Sequence, residues 1–238
     1  MGETAENIAE KYQISRHHQD EYSVETQRRA EAAQKNGRFK DEIVPVEIEI
    51  KKGEKKIFDQ DEHPRHGTTL EALAKLEPVF RKNGTVHAGN SSGITDAAAA
   101  VILADADQVK HLPGIPLAKM KAYTSVGVDP ALMGMGPVPA VKKLLDKTNI
   151  KLSDIGLVEL NEAFAVQVLA CQRELNFDLN KVNVNGGAIA LGHPIGCTGT
   201  RISVTLIHEM KRQNVHFGLA TLCVSGGMGL AVLFENVN

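Results

Sequence analysis

The chain has 238 residues, 42% apolar and 24% charged, with a formal net charge of −2. That balance gives no global attraction to nucleic acid or to an anionic membrane, and 4% aromatics without Trp leave no base-stacking platform. No apolar run reaches the roughly 18 residues of a membrane span, and the acidic start Met1-Gly2-Glu3-Thr4-Ala5-Glu6-Asn7 does not read as a signal peptide.

The length suits one or two domains. Residues 1–82 carry 32 charged residues and 4 glycines, and residues 83–238 carry 24 and 17. The first part therefore reads as solvated helices and loops, the second as a glycine-turned core. Thr4–Gln34 has helical polarity in two stretches, Ile8, Tyr12 and Ile14 in one and Tyr22, Val24 and Ala30 in the next. Ser15 and Asp20 are the candidate caps. Glu42–Ile50 alternates apolar and charged residues, which predicts a half-buried strand, and Lys51-Lys52-Gly53-Glu54 predicts a solvated turn. From Ala118 the pattern becomes α/β, with strands predicted at 117–123, 156–160, 182–184, 219–224 and 230–234. Helices are predicted at 139–147, 162–175 and 200–212, the last burying Ile202, Leu206, Ile207 and Met210. Alternating strands and helices imply a layered α/β domain with its site at strand ends. Cys171, Cys197 and Cys223 are odd in number and lack metal-ligand spacing. They predict neither a disulfide framework nor a zinc site, and point to a reducing, cytoplasmic setting.

Three strand ends carry candidate chemistry. Asn161 follows Val158-Glu159-Leu160 and precedes Glu162-Ala163-Phe164-Ala165. Its amide can hold a water or a carbonyl oxygen, although from this residue alone a helix N-cap is the favoured reading. His193 lies in Gly186-Gly187-Ala188-Ile189-Ala190-Leu191-Gly192-His193-Pro194-Ile195-Gly196, where glycine lets backbone and ligand approach closely. The spacing matches neither GxxxxGK[ST] nor GxGxxG, and structural and catalytic histidine readings stand about level. Cys223 precedes Val224-Ser225-Gly226-Gly227, whose N–H groups suit a thiolate beside an oxyanion site; the alternative is a buried, inert cysteine.

In this order and spacing these segments resemble the thiolase family over essentially all 238 residues. Lys40-Asp41-Glu42-Ile43-Val44-Pro45, Gly84-Thr85-Val86-His87-Ala88-Gly89-Asn90-Ser91-Ser92-Gly93 and Met133-Gly134-Met135-Gly136-Pro137 extend the resemblance. Within the family it is nearest to short-chain acetyl-CoA acetyltransferases, which make or cleave acetoacetyl-CoA. The resemblance implies a thiolase-like layered α-β-α domain at 116–238, with part of a loop domain bearing CoA contacts at 1–93 in front of it. Residues 94–115 match the last elements of an N-terminal half that is otherwise missing, and the nucleophilic cysteine belongs to that half.

In the implied reaction that nucleophile takes an acyl group from one CoA thioester. A second cysteine then deprotonates acetyl-CoA, whose carbanion attacks the acyl-enzyme. By motif position Cys223 is the second cysteine, and His193 activates the nucleophile and binds the thioester oxygen. Asn161 fixes a water in the same oxyanion hole, and the backbone N–H of Ser225, where glycine is usual, serves a second one. A thioester α-proton is too weak an acid for a thiolate unless the enolate oxygen meets preorganised donors in a dry site, so the chemistry agrees with these roles. Ser92 and Ala88 match pantetheine contacts, and Met133, Phe164 and Phe80 match the acyl-pocket walls. Arg65 matches a site near the nucleotide phosphates, and Ala72 stands where relatives often carry a serine. Cys197 and Cys171 read as packing residues, with Cys223 as the reactive thiol.

CoA thioesters are substrates, so the resemblance implies no cofactor and no metal. The partners it implies are an acyl-CoA substrate, an N-terminal thiolase half, and further chains in a homo-oligomer or hetero-complex, with no nucleic acid and no membrane. Without its other half, the apolar run Ala97–Ala104 is expected to lie uncovered and to favour association. The alternative is a non-catalytic thiolase-like protein that binds CoA or lipid, or a partner subunit. A ketoacyl synthase relative would need a histidine in place of Cys223.

Overall fold

Apolar spacing in the first 35 residues produces two helices, α1 (Gly2–Tyr12) and α2 (Arg16–Lys35). The structure, a computed structural model, describes residues 1–237. Ser15 caps α2 by accepting from the His18 N–H at 3.3 Å, as the sequence suggests. Asp20 does not cap. It lies inside α2, is buried, and accepts from His87 Nε2 at 2.7 Å and from Asn90 Nδ2 at 3.2 Å, so it fastens residues 87–90 to the helix.

The charged alternation after Pro45 forms β1 (Val46–Lys51), which pairs antiparallel with β2 (Glu54–Phe58) across Lys52 and Gly53. Every residue of both strands is exposed, so the half-buried face predicted for this segment is not found. A two-stranded ribbon with no second layer has nothing to bury its valine and isoleucines against. After it come α3 (Leu70–Ala74), capped by Thr69, and the single-turn α4 (Ala106–Val109). Residues 92–105 between them have no regular structure, and Ile94, Ile102 and Leu103 are 88%, 93% and 75% exposed. The apolar run is uncovered, as expected.

From residue 118 the elements run β3 (Ala118–Gly127), α5 (Pro137–Thr148), β4 (Ile155–Leu160), α6 (Ala165–Leu175), α7 (Ala188–Leu191), α8 (Thr198–Gln213), β5 (Phe217–Val224) and β6 (Met228–Asn236). The sheet order is β3-β6-β5-β4, with β4 and β5 parallel and the other pairs antiparallel. Two expected elements shrink. The helix after β4 begins at Ala165, three residues later than the pattern suggested, and residues 182–184 reduce to one bridge between Val182 and Val158. The left-handed Asn183, at φ +47°, turns the chain away before a strand can extend.

Successive side chains on a strand face opposite ways, and this sorts the sheet into two cores. Val158, Leu160, Leu219 and Cys223 pack with α5 and α6 on one face. Leu157 and Ala220 pack with Ile202, Leu206 and Met210 of α8 on the other. The α-β-α layering is therefore present, with α1 and α2 packed on α6. No helix among the described residues is long and apolar enough to cross a membrane.

Glu159 shares the α8 face of β4 and is only 3% exposed. Burial pushes its carboxyl up to about 8; the Arg201 guanidinium at 3.7 Å offsets part of that cost, while Glu42, Glu162 and Glu209 add to it. Between its ordinary value of 4.5 and about 8 the group is protonated in the folded chain and ionised in the unfolded one. Stability therefore falls as pH rises through that window. Glu42, held at about 7 by burial, adds a slope of the same sign. Glu159→Gln is expected to flatten the fall without removing the Glu42 part, and urea midpoints measured on either side of the window check it.

Candidate active site

The loop from β4 to α6 places two adjacent polar side chains in opposite tasks. Asn183 acts as a substitute strand neighbour to β4: its Nδ2 donates to the Leu160 carbonyl at 2.8 Å and its Oδ1 accepts from the Leu160 N–H at 2.9 Å. The next N–H, of Asn161, donates to the Thr221 carbonyl at 3.0 Å. With the backbone held on both sides, Glu162 turns inward and is fully buried. It accepts from Tyr22 Oη at 2.7 Å, Thr26 Oγ1 at 2.9 Å, Asn183 Nδ2 at 2.9 Å and the Ile189 N–H at 3.1 Å. Burial and the neighbouring Glu162 push the Tyr22 phenol well above its ordinary value, so it remains a donor. Gly187 lies against the same carboxylate, and a Cβ there would overlap it.

Asn161 points the other way, towards His193. The helix cap favoured for it on sequence grounds is not what it does, since the N-cap of α6 is Phe164. Its Nδ2 lies 3.4 Å from His193 Nε2 across 32 residues of chain. Its Oδ1 is buried with no hydrogen-bond partner. A buried acceptor without a donor costs about 1–3 kcal/mol, and Gln19 Oε1 and Gln167 Oε1 stand in the same state elsewhere, so what sets the Asn161 oxygen apart is the histidine beside it. His193 follows α7 through Gly192, whose φ of +90° suits glycine. The histidine N–H donates to the Gly93 carbonyl at 2.8 Å, and its ring Nδ1 lies 2.6 Å from Thr198 Oγ1. Burial, then the charge of Arg201, lowers its pKa, so the imidazole is neutral near pH 7.

Cys223 lies near the end of β5, paired with Gly229 of β6, and is 6% exposed. The expectation of a favoured thiolate does not hold. Cys223 sits in the core shared with α5 and α6, and burial pushes its thiol up to about 12, further than its own backbone N–H pulls it down. Cys171 is fully buried in the same core and shifted upward too, as a packing residue should be. Cys197, just before α8, is half-buried, and its thiol is also raised by burial. Ser225 is exposed in the turn after β5, and the left-handed conformations fall on Gly226 and Gly227 instead, at φ +84° and +90°. Its side chain therefore causes no backbone strain.

The remaining candidates divide into those at this loop and those apart from it. Ser92 donates to the Ala163 carbonyl through both its N–H, at 3.1 Å, and its Oγ, at 3.2 Å. Since Gly93 holds His193, residues 92–93 bridge the loop of Asn161 and that of His193. Phe164 bridges to Ser91 and meets Phe80 edge-to-face at 6.2 Å between centroids. Met133 is buried in the same core as Phe164. Ala88 is exposed on a short 3-10 turn, and Arg65 is exposed with its backbone N–H on Gln27. Glu162, Asn183 and Thr198 were not singled out by sequence, because the local pattern does not show that Glu162 meets α2, that Asn183 lies beside β4 or that Thr198 turns back onto His193. An open cleft of about 320 Å³ between α2 and α8, lined by Glu25, Arg29, Asn185 and Glu209, shares no residue with this site. Among the described residues no group of three His, Cys, Asp or Glu side chains could hold a metal ion.

The chain is similar to known proteins along its whole length. The family model for "Thiolase, N-terminal domain" matches residues 1–107 and that for "Thiolase, C-terminal domain" matches residues 115–236. The acetyl-CoA acetyltransferase of Allochromatium vinosum is 52% identical over 237 residues, and that of Pseudomonas aeruginosa is 56% identical over 233. These matches cover 100% and 98% of the chain, and 60% and 59% of those proteins. The crystal structure of the Bacillus anthracis acetyl-CoA acetyltransferase superposes with a TM-score of 0.97 at 48% identity, covering 100% of this chain and 60% of that one. Human mitochondrial 3-ketoacyl-CoA thiolase gives 0.95 at 49% identity, covering 98% and 59%. The chain spans about 60% of the length of the curated relatives it matches.

Glu162→Ala orphans the Tyr22 and Thr26 hydroxyls and leaves the Asn183 amide one acceptor short. At roughly 1–3 kcal/mol per orphaned group it is expected to lower stability in urea by about 3 kcal/mol or more. Limited alkylation of the folded chain, mapped by mass, is expected to mark Cys197 first, Cys223 slowly and Cys171 last. Cys223 labelling ahead of Cys197 would show that its surroundings do hold a thiolate.

Proposed function

The chain belongs to the thiolase family, and from that premise we propose that its residues serve acyl transfer between CoA thioesters, the condensation of two acetyl-CoA to acetoacetyl-CoA and CoA or the reverse thiolysis. The observation that carries this reading is the Asn161–His193 pair, with its buried and unpartnered amide oxygen. A neutral imidazole beside an amide is a donor-and-acceptor pair suited to a water and a thioester oxygen. When the α-carbon gains carbanion character, the charge moves onto that oxygen, and preorganised donors stabilise it there. Ser225 N–H would offer a second such donor at the Cys223 end of the sheet.

Cys223 exchanges the proton in this proposal. Its raised pKa means that the resting group is a thiol, the form that delivers a proton to an enolate carbon in thiolysis. In the condensing direction its thiolate, once formed, is a stronger base than an ordinary one and better matched to a weak carbon acid. Phe80, Phe164 and Met133 would bound the acyl group, Ser92 and Ala88 the pantetheine arm, and Arg65 a phosphate of the nucleotide.

None of Cys171, Cys197 and Cys223 matches the position of the family's nucleophile. We place that nucleophile in the part of the relatives' length that the match does not cover, supplied in the same or another polypeptide. The division into a loop-domain part at 1–93, closing elements of an N-terminal half at 94–115 and a C-terminal domain at 116–238 belongs to the same proposal, as does a cytoplasmic setting. Partners would be an acyl-CoA and further thiolase chains, without any cofactor.

The test is an acetoacetyl-CoA cleavage assay on the 238-residue chain alone and together with the remaining portion of a relative. The chain alone is expected to self-associate and show no turnover, and the combination to show turnover that His193→Ala or Cys223→Ala cuts by about 10²–10⁴-fold. Steady turnover by a monodisperse preparation of the chain alone would refute the division of labour. CoA binding with no turnover in any combination would favour a binding protein over an enzyme.

A further inference from the structure

Thr198 is fully buried at the first turn of α8, and its hydroxyl has two close neighbours. Oγ1 lies 2.9 Å from the Pro194 carbonyl oxygen and 2.6 Å from His193 Nδ1. A hydroxyl has one proton to give. The Pro194 carbonyl can only accept; it takes the Cys197 and Thr198 N–H groups at 2.7 and 2.8 Å, and the hydroxyl joins them in the i to i−4 geometry in which a helical threonine ordinarily donates its proton back to the carbonyl. The proton being committed there, Oγ1 meets Nδ1 with a lone pair, and the hydrogen in that contact comes from the ring. Nε2 is then bare, and the group it faces is the amide nitrogen of Asn161 at 3.4 Å, a donor. Both ends of the ring thus agree on one tautomer. The opposite one would require the Thr198 proton to leave Pro194 for Nδ1 and the Asn161 amide to turn over.

We propose that Thr198 is a positioning residue that sets His193 in the Nδ1–H tautomer and leaves Nε2 as an acceptor towards the site. The inference rests on the thiolase reading of His193 for its significance, since an unprotonated Nε2 is what can take the proton of a nucleophilic thiol. The proton inventory itself comes from Thr198, Pro194 and Asn161. It also gives a reason for a hydroxyl residue at this place in α8. Threonine and serine can carry the relay, and valine, with the same shape, cannot. The neutral state of the imidazole makes the tautomer matter, because a doubly protonated ring would present a donor at both nitrogens.

Nitrogen-15 NMR of the 238-residue chain reads the tautomer directly, with His193→Gln used to assign the signal. The expected result is protonated Nδ1 and bare Nε2 in the wild type and in Thr198→Ser. In Thr198→Val the Nδ1–H to Nε2–H ratio should fall by about tenfold, the loss of one hydrogen bond of ordinary strength. Nε2–H in the wild type, or an unchanged ratio in Thr198→Val, would overturn the proposal. If the valine variant does not fold, the wild-type and serine spectra still decide it. In the assembled enzyme, Thr198→Val should lower kcat by about tenfold with KM unchanged, and Thr198→Ser should restore it. The NMR measurement needs no turnover, so full activity of His193→Ala alongside the expected tautomer would refute the thiolase reading and leave the role of Thr198 standing.

Discussion

The carboxylate of Glu162 is cut off from water and draws its hydrogen bonds from α2, from Asn183 and from the backbone at Ile189. A buried acceptor of this kind is tolerable only when fully satisfied, and satisfying it demands that α2 and residues 183–189 both reach the Glu162 loop. Thr26, one of its donors, also accepts from the Gly187 N–H at 2.8 Å, which draws the glycine-rich loop against α2. That loop carries His193, and the residue before Glu162 is Asn161. The structural network and the candidate site are therefore two sides of one loop. The cost of hiding a carboxylate is offset by the rigidity it gives to the pair next to it.

Burial governs the protonation of the neighbouring groups as well. His193 is depressed and Cys223 raised, both mainly through desolvation, so each is held in its neutral form. In the proposed reaction this is a workable arrangement, since charge would appear at the thioester oxygen and not on the resting side chains. Cys223 owes its state to the layer it belongs to. It faces α5 and α6 with Leu219, while its neighbour Leu222 packs towards α8.

The sheet is finished unevenly. At one edge Asn183 substitutes for a strand by bonding both polar groups of Leu160. At the other, β3 exposes Met120 and Tyr123, and the irregular run before it exposes Ile94, Ile102 and Leu103. The candidate site therefore lies at the closed edge, and the exposed apolar side chains lie at the open one.

The order of helices and strands from residue 118 onward was legible in the sequence, because the 3.6 and 2.0 periods record which residues share a face. The motifs around Asn161, His193 and Cys223 were legible as motifs for the same local reason. Alternation could not say whether anything would cover a face, so β1 read as half-buried and is fully exposed. Likewise the N–H groups after Cys223 pointed to a thiolate, because the two helices that desolvate it are remote in sequence. Asp20 and Asn161 both read as caps, since a short polar side chain near a helix start carries that signal by itself. Their actual partners, His87 and His193, lie 67 and 32 residues away. Local chemistry was thus written in the chain, whereas every choice that depended on what lies across a gap belonged to the tertiary structure, since desolvation and hydrogen-bond pairing are set by spatial neighbours.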